Sequence, residues 1–202
     1  MARLLPVGAV LGRFQPFHRD HMEYLLAALV RCSVVYVGLT RPGFEDPALS
    51  AGPAHRHDAL ANPLSYYERQ EAVLLASKDG GIDTARVRVV PFPLDSGNAE
   101  LCRNFLPVSV PVLLTCVEPW NVEKERVIRG MGYRTSVLYE RVGSKGISGS
   151  QLRELACLGR LSEWRALVAP SVADYLVGIG FEERCRNAPG SGLSSAWRSG
   201  VE

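Results

Sequence analysis

The apolar run Val7-Gly8-Ala9-Val10-Leu11 passes directly into Gly12-Arg13-Phe14-Gln15-Pro16-Phe17-His18-Arg19-Asp20-His21, and this stretch decides the fold. Val7 to Leu11 reads as a first strand. Asp20 to Val30 reads as a helix with Leu25, Leu26, Leu29 and Val30 on one side. The segment between them joins the end of a strand to the start of a helix. His18 and His21 are three residues apart, so both face one side of that helix start. A helix N-terminus presents N–H groups and the positive end of the dipole, which suits phosphate. Imidazoles can donate hydrogen bonds to phosphoryl oxygens, and Arg13 adds a planar fork of donors. A His pair at this spacing is, taken alone, more often a surface or core pair.

The same rhythm repeats along the chain. Ser33 to Leu39 is a second strand, apolar throughout as a strand buried on both faces would be. Arg86 to Phe92 and Val110 to Val117 are the third and fourth strands, and Tyr133 to Tyr139 is a fifth. Ser65 to Ser77 reads as a helix opened by the capping box Ser65-x-x-Glu68, and Trp120 to Met131 as another helix. Alternating strands and helices of these lengths predict an α/β fold: a Rossmann-like parallel sheet of about five strands, helices on both faces and a small helical C-terminal part. Such sheets bind ligands beyond the carboxyl ends of the strands, where the strand order reverses.

A second stretch carries chemistry: Gly143-Ser144-Lys145-Gly146-Ile147-Ser148-Gly149-Ser150-Gln151-Leu152-Arg153. Ser148-x-x-Gln151 is again a capping box, Arg153 lies within the first two turns of the helix that follows, and Lys145 sits in a Gly-flanked loop. Hydroxyls, helix N–H groups and a fixed cation make a second anion site. Each motif alone is weak, but in this order they are specific.

Together they resemble the nucleotidylyltransferases that carry a His-x-Gly-His motif and a downstream Ile-Ser-x-Ser/Thr-x-x-Arg motif. The chain is most similar to the short nicotinamide mononucleotide (NMN) adenylyltransferase branch. The resemblance covers most of residues 7–183 and includes Asn62-Pro63-Leu64-Ser65 leading to Glu68-Arg69, as well as Glu163-Trp164-Arg165 and Pro170-Ser171-Val172. It implies one nucleotidylyltransferase domain over residues 1–186, with a loop at 41–63, a helical part at 148–183 and a Gly/Ser-rich tail at 187–202. It implies that His18, His21 and Arg13 act at the phosphates. Gly12, Phe14, Gln15, Asp20, Lys145, Ser148, Ser150 and Arg153 would bind the nucleoside triphosphate. By the same resemblance Mg2+ bridges the phosphates, and an acceptor oxygen attacks the α-phosphorus with release of pyrophosphate.

Two departures stand out. The family's glycine in the first motif is Asp20 here. An aspartate fills space that glycine leaves open and brings a negative charge near a polyphosphate. Asp20 then either accepts a hydrogen bond from a base amino group or ribose hydroxyl, points away, or marks a degraded site. The loop from Arg41 to Pro63 is longer than its family counterpart and is either a lid or a surface insertion; its His55, Arg56 and His57 can serve an acceptor phosphate. Arg69, Asp95 and Trp120 are further acceptor candidates, whereas Trp164 reads as structural. Because the departures fall on base and acceptor recognition, the pattern points to a relative that uses CTP on a small phosphonate such as phosphonoformate, as in phosphonate-antibiotic pathways. An NMN adenylyltransferase making NAD from ATP is the alternative.

Composition bounds the other classes. The 202 residues are 47% hydrophobic and 22% charged, with a net charge of +2, so no polyanionic partner such as nucleic acid is expected. Five scattered cysteines without a Cys-x-x-Cys pair read as reduced thiols of a cytoplasmic protein. No run approaches the ~18 apolar residues of a membrane span. A homo-oligomer stays open. Two other classes remain: a nucleotide sensor without turnover, and a metal-binding protein built on His18, His21, His55 and His57, which no ligand spacing supports.

Overall fold

The computed structural model describes residues 4–43, 59–94, 99–116, 120–140 and 146–188. Its elements run β1 (Leu5–Gly12), α1 (Arg19–Arg31), β2 (Cys32–Leu39), α2 (Tyr66–Asp79), β3 (Val87–Pro91), α3 (Ala99–Phe105), β4 (Val112–Cys116), α4 (Trp120–Gly130) and β5 (Thr135–Glu140). Four helices close the described chain: α5 (Gly149–Cys157), α6 (Leu161–Arg165), α7 (Pro170–Gly178) and α8 (Phe181–Asn187). The five strands form one parallel sheet in the order β3-β2-β1-β4-β5. The α/β Rossmann-like expectation is met.

Side chains alternate between two cores. Val10, Val35, Val37, Leu39 and Leu113 face a core closed by α1, α2, α5, α7 and α8. Ala9, Leu11, Val112 and Leu114 face the other way, against Cys102 of α3 and Ile128 of α4. Helices therefore cover both faces, with α1 and α4 on opposite sides. The N-terminus of α2 is capped as expected: Ser65 Oγ accepts from Glu68 N at 3.3 Å, and Glu68 Oε2 accepts from Ser65 N at 2.8 Å. Trp164 is fully buried beside Phe181 and donates from Nε1 to Glu182 at 2.9 Å, a structural anchor.

Two expectations need correction. The buried stripe of α1 is Tyr24, Leu25, Ala28 and Leu29. Leu26 is exposed, and Val30 is 76% exposed, because the stripe lies one position nearer the N-terminus than the leucine cluster suggests. The helix α3 was not anticipated; a 7-residue helix shows too little periodicity to declare itself.

Of the 41–63 loop, only its two ends are described, the later one carrying a 3₁₀ turn at Ala59–Ala61. Its reading as a lid, and the tail beyond residue 188, lie outside the described residues. Among the described residues, no helix is long and apolar enough to cross a membrane.

The sheet's pairing positions the site. β1 and β2 are in register from Leu5↔Cys32 to Gly12↔Leu39, the full length of both. β1 and β4 share the single pair Ala9↔Val112. The strand order reverses between β1 and β4, so the crevice expected of such a sheet opens at their carboxyl ends.

Candidate active site

The first motif is a built scaffold. Gly12 ends β1, and a Cβ there would lie 2.6 Å from the Phe14 ring, so only glycine lets that ring fold back. Phe14 itself holds a positive φ of 52°, unusual for a bulky residue. Its buried ring meets the His21 imidazole edge-on at 4.7 Å between centroids, with Phe17 at 5.6 Å from the same imidazole. His18 is the N-cap of α1, and its imidazole stacks on that of His21 at 3.5 Å. The His18 N–H donates to His21 Nδ1 at 3.3 Å, which assigns the proton of a neutral His21 ring to Nε2.

Both rings are held neutral. Burial drives the His18 pKa down to about 4, with the nearby Asp20 carboxylate pulling partly the other way. His21 lies well below the usual range through burial first, then through His18, Lys124 and Arg13, while the Pro16 carbonyl opposes them. His18 is only 4% exposed, yet its Nδ1 has no hydrogen-bond partner. A buried, unsatisfied ring nitrogen at a helix start is what an incoming polar ligand would satisfy.

The second motif comes to the same place. Ser148 caps α5 and accepts from Gln151 N at 3.2 Å. Arg153 is 7% exposed; its Nη1 donates to the Gln15 carbonyl at 2.7 Å and its Nη2 to Ser150 Oγ at 3.0 Å. A Cβ on Gly149 would lie 2.8 Å from the same Gln15 carbonyl oxygen, so glycine in the first turn of α5 allows the two motifs to touch. Asp20 Oδ2 accepts from Ile147 N at 3.0 Å across 127 residues of chain. Two helix starts, distant in sequence, thus converge on one spot.

Other candidates separate into distinct roles. The Gln15 side chain is engaged with Leu64, donating to its carbonyl at 2.8 Å and accepting from its N–H at 3.0 Å. It is a clamp on the approach to α2. Arg69 is 1% exposed and donates to the carbonyls of Arg13, Thr40 and Arg41 at 3.0, 2.8 and 2.6 Å. Its guanidinium binds the carboxyl ends of β1 and β2 together. Arg13 lies partly buried beside the imidazoles. Lys145, Asp95, His55, Arg56 and His57 lie outside the described residues, as does the side chain of Trp120.

One residue escaped the sequence reading. Lys124 of α4 donates from Nζ to the Leu11 carbonyl at 2.7 Å. With Gly12, Phe14, His21, Tyr24 and Thr115 it lines a cavity of about 210 Å³ at the crevice between β1 and β4. The signal was one of only three lysines in an arginine-rich chain, which by itself carries no position. Among the described residues, no three His, Cys, Asp or Glu side chains gather as a metal cage.

No protein-family model matches the chain. It is 33% identical over 179 residues to a phosphonoformate cytidylyltransferase of Streptomyces viridochromogenes, covering 89% of this chain and 95% of that one. It is 27% identical over 187 residues to a nicotinamide-nucleotide adenylyltransferase of Pyrococcus horikoshii, covering 89% and 87%. Among solved structures, it superposes on a bifunctional NMN adenylyltransferase/ADP ribose pyrophosphatase of Francisella tularensis with a TM-score of 0.63 at 14% identity. That match spans 91% of this chain and about half (53%) of the other, and it speaks for the fold. With two helix starts meeting at the switch point of a parallel sheet, and a relative at this identity along nearly its whole length, the chain belongs to the nucleotidylyltransferase family that includes the phosphonoformate cytidylyltransferases.

Proposed function

We propose that the protein is a CTP-dependent cytidylyltransferase acting on a small phosphonate such as phosphonoformate. The observation that carries the reading is the meeting of the two motifs at Gln15, whose carbonyl, just ahead of the His18–His21 stack of α1, accepts the buried Arg153 guanidinium of α5 and lies against Gly149. The choice of substrates is supported by the 33% identity to phosphonoformate cytidylyltransferase, against 23–28% for the NMN adenylyltransferases.

The chemistry needs no protein nucleophile. A phosphonate oxygen attacks the α-phosphorus of CTP in line. The bond from that phosphorus to the bridging oxygen breaks, and pyrophosphate departs with the electron pair. His18 donates a hydrogen bond to a phosphoryl oxygen as charge grows there, and His21 does so by turning its one N–H from the Pro16 carbonyl. Being neutral, they each offer one N–H without the cost of holding two cations in contact. Ser148, Ser150 and Arg153 hold the outer phosphates, and Arg13 sits between donor and acceptor. Catalysis is positioning together with charge neutralisation. Mg2+ would enter with the triphosphate, held by phosphate oxygens and water as this ion prefers. A cytoplasmic setting and a place in phosphonate-antibiotic biosynthesis belong to the same proposal.

The test is a pyrophosphate-release screen of CTP, ATP, GTP and UTP against phosphonoformate, other small phosphonates, NMN and nicotinate mononucleotide. Release with CTP and a phosphonate supports the proposal. Release only with ATP and NMN replaces it with the adenylyltransferase reading. Binding of a nucleoside triphosphate without release from any pair would make the protein a sensor.

A further inference from the structure

The first motif departs from its family at Asp20, and the structure gives that carboxylate an occupation. Asp20 Oδ2 accepts the Ile147 N–H at 3.0 Å. Ile147 immediately precedes Ser148, the cap of α5, and its side chain packs against the larger core. The hydrogen bond therefore grips the segment that leads into the second helix start. The two other ties between the motifs, Arg153 to the Gln15 carbonyl and the close approach of Gly149, act from within α5. Asp20 alone among these ties holds the chain ahead of the cap. A glycine in its place would have no atom to offer Ile147.

We propose that Asp20 is a positioning residue: its carboxylate latches the Gly146–Ser148 segment to α1, so that both helix starts stand ready for the triphosphate before it arrives. The proposal rests on the reading above that these two starts hold one triphosphate. A hydrogen bond to an ionised acceptor is roughly twice as strong as a neutral one. Ordering this segment in the free enzyme removes a cost that binding would otherwise carry. The latch acts on phosphate binding, so it serves CTP and ATP alike. This differs from a base-reading role, in which Asp20 would favour one nucleotide over the other.

The test uses the full chain with Asp20→Gly and Asp20→Asn variants. Two readouts are taken: amide exchange at Ile147 in the free protein, and kcat and KM for CTP and ATP in the pyrophosphate-release assay with phosphonoformate. Asp20→Gly is expected to speed Ile147 exchange roughly tenfold or more. It should raise KM for CTP and ATP by a similar factor, about five- to twentyfold, with kcat within about threefold. Asp20→Asn keeps an oxygen acceptor without the charge and should recover roughly half of the lost exchange protection and of the KM effect on a logarithmic scale. Should the glycine variant fail to fold, Asp20→Ala carries the same comparison, being a better helix former. Ile147 exchange as slow in the glycine variant as in the wild type overturns the latch. So does a changed CTP/ATP ratio with the sum of the effect falling on one nucleotide. A wild type that releases no pyrophosphate from any pair would instead overturn the functional reading, and Ile147 exchange would still decide whether the latch exists.

Discussion

The two helix starts that meet at Gln15 are built differently. The start of α1 is buried and self-supporting: its N-cap imidazole stacks on the next, the backbone N–H of one binds the ring of the other, and Phe14 and Phe17 pack against them. The start of α5 is more open. Ser150 is exposed, Ser148 is partly buried, and the buried Arg153 reaches back to the first motif for its main acceptor. One is a preformed surface, and the other is a cap whose place is set by the first. A substitution in α1 should therefore strike the chemistry while sparing the fold. A substitution in α5 should strike nucleotide binding and stability together.

The largest effect tests the first half of that contrast. His18→Ala removes a donor aimed at developing charge and should lower kcat by about 100- to 1,000-fold, the usual scale for one such donor. The thermal midpoint at pH 7.5 should move by only a few degrees. A collapse of the midpoint, or unchanged turnover, would make His18 a packing residue.

The pH dependence of stability isolates the burial of the same ring. The pKa of His18 is about 6.5 unfolded and about 4 folded. Between these values the unfolded chain binds the proton and the folded chain does not. The contribution is therefore intact above pH 6.5 and is lost as pH falls toward 4, by an amount on the order of 3 kcal/mol. His21 shifts in the same direction and adds to the loss. Urea titrations at pH 7.5 and 4.5 measure it, and His18→Ala should reduce the difference, leaving the part that His21 contributes. An equally steep decline in that variant would assign the acid sensitivity elsewhere.

Next in size is Arg153→Met, which addresses the second helix start. It keeps the apolar stem but loses the bonds to Gln15 and Ser150. Hydrogen bonds from a charged donor are worth about 1.5–3 kcal/mol, so stability should fall by about 2 kcal/mol. KM for the nucleotide should rise roughly tenfold, a change read in the same units of free energy. Loss of nucleotide affinity with unchanged stability would mean that α5 stands without the first motif.

Much of this was legible in the chain because the signals are local. Val7 to Leu11 and Ser33 to Leu39 are apolar runs of strand length, and Ser65-x-x-Glu68 is a cap that needs only its own turn. What escaped depends on long-range placement. Gln15 and Arg69 carry donors suited to a ligand, yet they bind Leu64 and the strand ends, partners that only the folded chain supplies. Asp20 reads as an intrusion on a phosphate site until Ile147 is seen beside it. Leu26 and Val30 sit at helical spacing with the true core residues, and one residue of rotation about a helix is enough to expose them.

Lys124 is the clearest case of information held by topology. Its position in α4 says nothing about α1, since the two helices cover opposite faces of the sheet. The Lys124 side chain reaches the end of β1 only because β4 lies beside β1 and pairs with it at one position, which brings the ammonium to the Leu11 carbonyl at 2.7 Å. That contact admits two jobs, binding the carbonyl at the strand end or placing a cation in the crevice beside His21, and two variants separate them. Lys124→Met removes both the donor and the charge. It should cost about 1 kcal/mol of stability through the lost hydrogen bond and about tenfold in kcat/KM, or roughly 1.4 kcal/mol in the barrier. Lys124→Gln retains an N–H donor without the charge. If the cation matters to the reaction, the glutamine variant regains the stability while kcat/KM stays low. If it regains both, Lys124 serves the strand end alone, and charge neutralisation rests with the two helix starts.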